Sequence, residues 1–139
     1  MGSYKHIETC IGEYIARHYA DTVEVGIGMN MDAARIILDK GVRVRCTDIR
    51  DLQVPECLSF SIDDIFSPSV ALYKGADLIY AIRPGIEMIP PLIRLATMIH
   101  CDLLVYHLGF ETYGNKSERI ECGVILHRYV KASESVKER

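Results

Sequence analysis

An α/β fold with a mostly parallel sheet and helices on both faces is the architecture this sequence predicts, and three observations predict it. Strand-like and helix-like segments alternate through the first five strands, the pattern of parallel sheets. The run Asp77-Leu78-Ile79-Tyr80-Ala81-Ile82 is nearly continuous in apolar residues, as strands covered on both faces are. The chain has 139 residues, 49% hydrophobic and 25% charged, which suits one domain with one sizeable core.

The elements follow in order. Ile7, Ile11, Tyr14, Ile15 and His18 recur at helical spacing and predict an amphipathic helix over residues 5–19. Val23-Glu24-Val25 is a short strand running into a glycine turn. Asp32 to Lys40 reads as a helix that Gly41 stops. Val42, Val44 and Cys46 alternate with Arg43 and Arg45, giving a strand with one apolar face. Leu58-Ser59-Phe60-Ser61-Ile62 is a third strand, and residues 69–74 have room for one or two helical turns. The strand at 77–82 ends at Pro84-Gly85. The Pro90-Pro91 pair suits a first helical turn, where missing N–H groups cost little, and that helix runs to Ile99. Asp102 to Leu108 is a fifth strand, residues 109–117 are a loop, and Ile120 to Tyr129 is a last strand. A parallel return needs a dozen or more residues, so the last strand is expected to be antiparallel. A single domain is expected over residues 1–139, with its core over 5–129 and a flexible polar tail over 130–139.

Composition narrows the function classes. A net charge of −3 argues against a broad electrostatic footprint for nucleic acid and leaves only a local basic patch for that purpose. No stretch approaches the ~20 apolar residues of a membrane helix. The N-terminal Met1-Gly2-Ser3-Tyr4-Lys5-His6 has no apolar signal core. Cys10, Cys46, Cys57, Cys101 and Cys122 include no C-x-x-C pair and read as reduced, mostly buried thiols of a cytoplasmic protein. The histidines show no metal-ligating spacing, so no metal site is expected.

In open α/β sheets ligands bind beyond the carboxyl ends of the strands, where strand order reverses. The first strand runs into Gly26-Ile27-Gly28, whose glycines permit a tight turn and close backbone approach. Asp48, at the end of the second strand, lies twenty residues after Gly28, where an acid commonly accepts from ribose hydroxyls. Asp63-Asp64 ends the third strand and suits either an exocyclic amine of adenine or a plain cap for the following turn. Charge separates a dinucleotide from a nucleoside without phosphates. Glu24 and Asp32 flank the glycine turn, and Met31 stands where a dinucleotide fingerprint has its third glycine. At ~4 Å a unit charge pair at surface-like dielectric is worth about 4 kcal/mol, here opposing a pyrophosphate and favouring a cation such as S-adenosylmethionine.

The segments Glu24-Val25-Gly26-Ile27-Gly28, Asp48, Asp63-Asp64 and Asp77 through Pro84 resemble the successive motifs of class I S-adenosylmethionine-dependent methyltransferases. Over residues 5–129 the chain also resembles a small archaeal family of uncharacterised proteins. The resemblance implies a Rossmann-like three-layer αβα sandwich with sheet order 3-2-1-4-5 and a C-terminal antiparallel strand. It implies that Gly26 and Gly28 approach the methionine part of the ligand and that Glu24 supports its ammonium. It further implies that Asp48 holds the ribose, that Ile49 packs on the adenine, and that Asp63 or Asp64 meets the adenine amine. Asn30 replaces the usual third glycine of that motif and suits a helix cap. Ile82-Arg83-Pro84-Gly85 lacks the Asn/Asp-Pro-Pro-aromatic sequence of many base amino-methyltransferases. Arg83 can clamp an anionic substrate or pair with Asp77 or Glu87. The helix and strand that usually follow the fifth strand are not evident.

Two readings follow, with a third behind them. The first is a minimal S-adenosylmethionine-dependent methyltransferase, completed by a partner subunit or a second copy, with no catalytic residue nameable because methyl transfer needs mainly alignment. The second is a non-catalytic Rossmann-like module for interaction or nucleotide sensing. The third is an NAD(P)-binding protein. The strand at 58–62 is a candidate edge, open to dimer formation.

Overall fold

The computed structural model describes residues 3–109, 113–114 and 117–132. Its centre is a seven-stranded sheet in the order β3-β2-β1-β4-β5-β7-β6. The strands are β1 (Asp21–Val25), β2 (Arg43–Asp48), β3 (Ser59–Ile62), β4 (Leu78–Ile82), β5 (Asp102–Tyr106), β6 (Glu118–Glu121) and β7 (Ile125–Val130). The first five are parallel to their neighbours, and β7 runs antiparallel to both β5 and β6. Helices α1 (Ser3–His18) and α2 (Asp32–Asp39) cover one face and α3 (Ile89–Ile99) the other. The αβα sandwich, its strand order and its antiparallel C-terminal strand are those expected from the sequence.

Period-two alternation along each strand supplies both cores. Val23, Val25, Ile79, Ala81, Leu103 and Val105 turn to α3, where Leu92, Leu95 and Ala96 meet them. Val44, Cys46, Leu78, Tyr80 and Leu104 turn to the other face, against Ile11 and Ile15 of α1 and Ala33, Ala34 and Ile37 of α2. Each buried Val, Leu or Ile among them contributes about 1.5–3 kcal/mol. The two helices on that face lie close together. A Cβ on Gly12 would stand 2.9 Å from Ile36 Cγ2 and 3.1 Å from the Ala33 carbonyl oxygen, which explains a glycine inside α1.

Helix boundaries have local causes. The backbone of Gly41 is left-handed, its N–H bonds the Leu38 carbonyl, and the Val42 N–H bonds that of Ile37, closing α2. Pro90 and Pro91 fall in the first turn of α3.

Three sequence expectations are revised. The stretch 120–129 is not one strand but the β6–β7 hairpin, because Gly123 turns the chain at φ 95° and the Cys122 N–H bonds the Val124 carbonyl. A strand following β5 is therefore present, as β6, and it runs in the direction of the first five. Strand and helix do not alternate at every step, since residues 49–58 cross from β2 to β3 with no helix. Residues 133–139 of the expected tail lie outside the described residues. Among the described residues no helix is long and apolar enough to cross a membrane, and no group of three or more His, Cys, Asp or Glu is placed to hold a metal.

Candidate functional site

The carboxyl ends of β1 to β4 open onto a cavity of about 280 Å³, close to the lower end of the ~300–1,000 Å³ typical of small-molecule sites. Four connections line it. Val25 and Gly26 come from the turn after β1, and Asp48, Ile49 and Arg50 from the end of β2. Asp63 to Phe66 follow β3, and Arg83, Pro84, Gly85, Glu87 and Met88 follow β4. Parallel pairing brings these segments together, because β1 lies between β2 and β4 and every one of these strands ends at the same edge.

The glycine turn is tied to β2. Gly26 and Gly28 have φ of 71° and 61°, a region that strains any residue with a Cβ. The N–H groups of Gly26 and Ile27 both donate to the Thr47 carbonyl, at 2.8 and 3.1 Å. The Gly28 N–H donates to Asp48 Oδ2 at 3.0 Å. Arg50 donates to Asp48 Oδ1 from its backbone N–H at 2.9 Å and from Nε at 3.1 Å. Partial burial alone would raise the Asp48 carboxyl, but the Arg50 side chain and the N–H groups of Arg50 and Gly28 outweigh it and hold the carboxyl below its ordinary value. Asn30 Oδ1 accepts the Asp32 N–H at 3.1 Å, which orders the entry into α2. Gly28 and Asn30 thus support the turn without themselves lining the cavity.

After β3, Asp63 Oδ2 accepts the Tyr73 hydroxyl at 2.6 Å and its Oδ1 accepts the Ser69 N–H at 3.0 Å. Asp64 Oδ1 accepts the Phe66 N–H at 3.0 Å, a local turn. Both acids stay in the cavity wall with lone pairs to spare. Ile49 and Phe66, 64% and 56% exposed, present apolar surface at its mouth.

Arg83 and Glu24 have surroundings that the sequence does not reveal. Arg83 has a left-handed backbone at φ 54°. Its Nη1 donates to Glu8 Oε2 of α1 at 3.0 Å, and the guanidinium lies 5.3 Å from the Tyr106 ring centroid. Its ion-pair partner is therefore neither Asp77 nor Glu87. Burial raises the Glu8 carboxyl, with Arg83 pulling it the other way. Glu24 is 2% exposed and does not line the cavity. It points to the α1 and α2 face, beside Tyr80 and Cys46. Burial pushes its carboxyl well above the ordinary 4.5, the nearby Tyr80 hydroxyl eases this without meeting hydrogen-bond geometry, and Glu8 adds to the rise.

The sign of the pH effect follows. The folded chain holds the Glu24 proton to higher pH than the unfolded chain. The contribution of this group to stability is full below pH 4.5 and declines as pH rises towards the folded value. Glu24→Gln, an isostere of the neutral acid, is expected to remove a slope of up to about 1.4 kcal/mol per pH unit. Urea titrations of both proteins at a series of pH values measure it, as a stability difference that grows with pH.

The formal charges of the wall no longer rest on Glu24. Arg50 is paired with Asp48 and Arg83 with Glu8, while Asp63, Asp64 and Glu87 make no ion pair among the described residues. The cavity is acidic. His107, near the end of β5, lies outside this wall and bonds the Tyr129 hydroxyl through Nε2 at 2.6 Å.

Comparison with known proteins places this geometry. Residues 8–128 match the family described as Uncharacterised protein family (UPF0146). The chain belongs to UPF0146. A UPF0146 protein of the archaeon Archaeoglobus fulgidus is 34% identical over 109 residues, covering 78% of this chain and 81% of the relative. Among solved structures, the UPF0146 chain resembles the CcbJ methyltransferase of Streptomyces caelestis with a TM-score of 0.60 at 12% identity, over 84% of this chain and 60% of that one. It also resembles the glycopeptide N-methyltransferase MtfA, solved with S-adenosyl-L-homocysteine, with a TM-score of 0.56 at 10% identity, over 94% and 76% of the two chains. At such identities the likeness is one of fold. This UPF0146 domain has a methyltransferase-like Rossmann architecture, and it spans less than two thirds of the length of CcbJ.

Proposed function

We propose that this chain binds S-adenosylmethionine in the cavity at the carboxyl edge of the sheet and presents its methyl group to an acceptor. The observation that carries this reading is the convergence of Gly26, Asp48, Ile49, Asp63 and Asp64, from three connections, on one acidic wall. Asp48 would take the ribose hydroxyls in place of the Arg50 guanidinium, whose side chain is 61% exposed and free to swing out. Asp63 or Asp64 would accept from the adenine amine, with Ile49 and Phe66 against its faces. The bound group would supply an electrophilic methyl. The residues of the chain would hold and orient it, and alignment of that kind can supply roughly 7–11 kcal/mol of barrier reduction.

Charge supports this ligand over a dinucleotide. The ligand carries an ammonium, a sulfonium and one carboxylate, against three wall carboxylates that make no ion pair among the described residues. A diphosphate would face the same carboxylates at a cost. Glu24, buried with its carboxyl held well above the ordinary range, would hold up the floor beneath the turn and not meet the ammonium directly.

A second reading, a nucleotide-sensing module without catalysis, is favoured by one observation. Among the described residues no helix stands between β5 and β6. Calorimetric titration tests the proposal. Saturable 1:1 binding of S-adenosylmethionine with NADH inert is expected. No heat at millimolar S-adenosylmethionine would overturn it.

A further inference from the structure

Glu87 is not explained by any hydrogen bond or ion pair among the described residues. It follows β4 in the short 3-10 turn Ile86–Met88, lines the cavity, and makes no hydrogen bond or ion pair among the described residues. Its neighbour Gly85 explains where its carboxylate goes. Gly85 has φ −62° and ψ 146°, an extended conformation open to any residue, so the backbone does not require glycine there. A Cβ at Gly85 would lie 2.3 Å from Glu87 Oε2 and 2.6 Å from Oε1. The missing side chain is therefore the space into which the Glu87 carboxylate folds.

The strand order says which part of a ligand this carboxylate meets. Along the edge β3-β2-β1-β4, the acids placed for adenine and ribose follow β3 and β2, and Glu87 follows β4. The connection after β4 packs directly on the glycine turn between them, with Met88 Cε 3.5 Å from the Cβ position of Gly26. An adenosyl ligand laid from β3 to β4 brings its 5′ substituent to the Gly85–Glu87 end. In S-adenosylmethionine that substituent is the sulfonium.

Resting on the ligand proposed above, we propose that Gly85 and Glu87 form a cation subsite that reads the charge at the 5′ position, so that the cavity takes the sulfonium in preference to the neutral thioether left after methyl loss. Glu87 is the specificity-determining residue and Gly85 makes room for it.

The test is calorimetric and needs no acceptor. S-adenosylmethionine, S-adenosylhomocysteine and sinefungin, which carries an ammonium where the sulfonium stands, are titrated into the intact chain and into Glu87→Gln and Gly85→Ala. The native chain is expected to bind the two cationic compounds about tenfold more tightly than the thioether, the scale of one partly screened charge pair. Glu87→Gln is expected to bring all three within about threefold of one another. Gly85→Ala displaces only the flexible end of a side chain, so it is expected to keep the melting temperature and to lose the same preference. A preference that survives Glu87→Gln overturns the subsite with the ligand reading intact. If none of the three compounds binds the native chain, the ligand reading falls and the subsite with it.

Discussion

Arg83→Ala is expected to remove about 3–5 kcal/mol of folding stability, the cost of leaving one member of a buried ion pair behind. Glu8 is 1% exposed and Arg83 18%, so neither group has much water to fall back on. The substitution also strips the guanidinium from the Tyr106 ring and keeps the left-handed backbone at a residue with a Cβ. Replacing both partners together, Glu8→Met with Arg83→Met, is expected to recover most of the loss, because two apolar chains of similar length need no desolvated charge between them. Urea denaturation of the two single variants and the double variant measures the coupling. Equal stability of Arg83→Ala and the native chain would show that the pair contributes nothing.

Asp48→Ala is expected to weaken S-adenosylmethionine binding by roughly 10- to 100-fold, from the loss of about 1.5–3 kcal/mol in hydrogen bonds to a charged acceptor. Two effects combine. The ribose loses its carboxylate, and the Gly28 N–H and Arg50 lose the group that orders the turn. Asp48→Asn keeps an acceptor oxygen and is expected to lose less. Calorimetry on both variants, with circular dichroism to confirm the fold, distinguishes these outcomes. Unchanged affinity in Asp48→Ala would remove this residue from the site.

How much of this was legible in the sequence depended on whether the cause was local. The apolar run of β4, the glycine turn after β1 and the Gly41 stop are decided within a few residues and could be read directly. The shared cavity wall of Asp48, Ile49, Asp63 and Asp64 also followed, because parallel strands place their carboxyl ends at one edge. The β6–β7 hairpin was missed because Ile120, Cys122, Val124 and Leu126 keep one alternation through the turn, and Gly123 was the signal against a single strand. Glu8 was hidden because an acid on an amphipathic helix reads as solvated, and its ion-pair partner Arg83 comes 75 residues later. Glu24 had a usable signal. A central parallel strand is covered on both faces, so its acid is buried whichever way it points. Glu87 had none, since Gly85 beside it reads as an ordinary turn residue.

The contact between Glu8 and Arg83 also bears on the order in which the chain assembles. The first 48 residues contain α1, β1, α2 and β2, which pair and pack among themselves in the folded chain. The fourth strand, by contrast, must return across that unit to reach the free side of β1. Arg83 reaches Glu8 only from the connection after that strand, so its guanidinium ties the first helix to the last wall of the pocket. The last wall of the pocket therefore depends on that return, and a chain stopped short of β4 would lack the Arg83–Met88 side of the site.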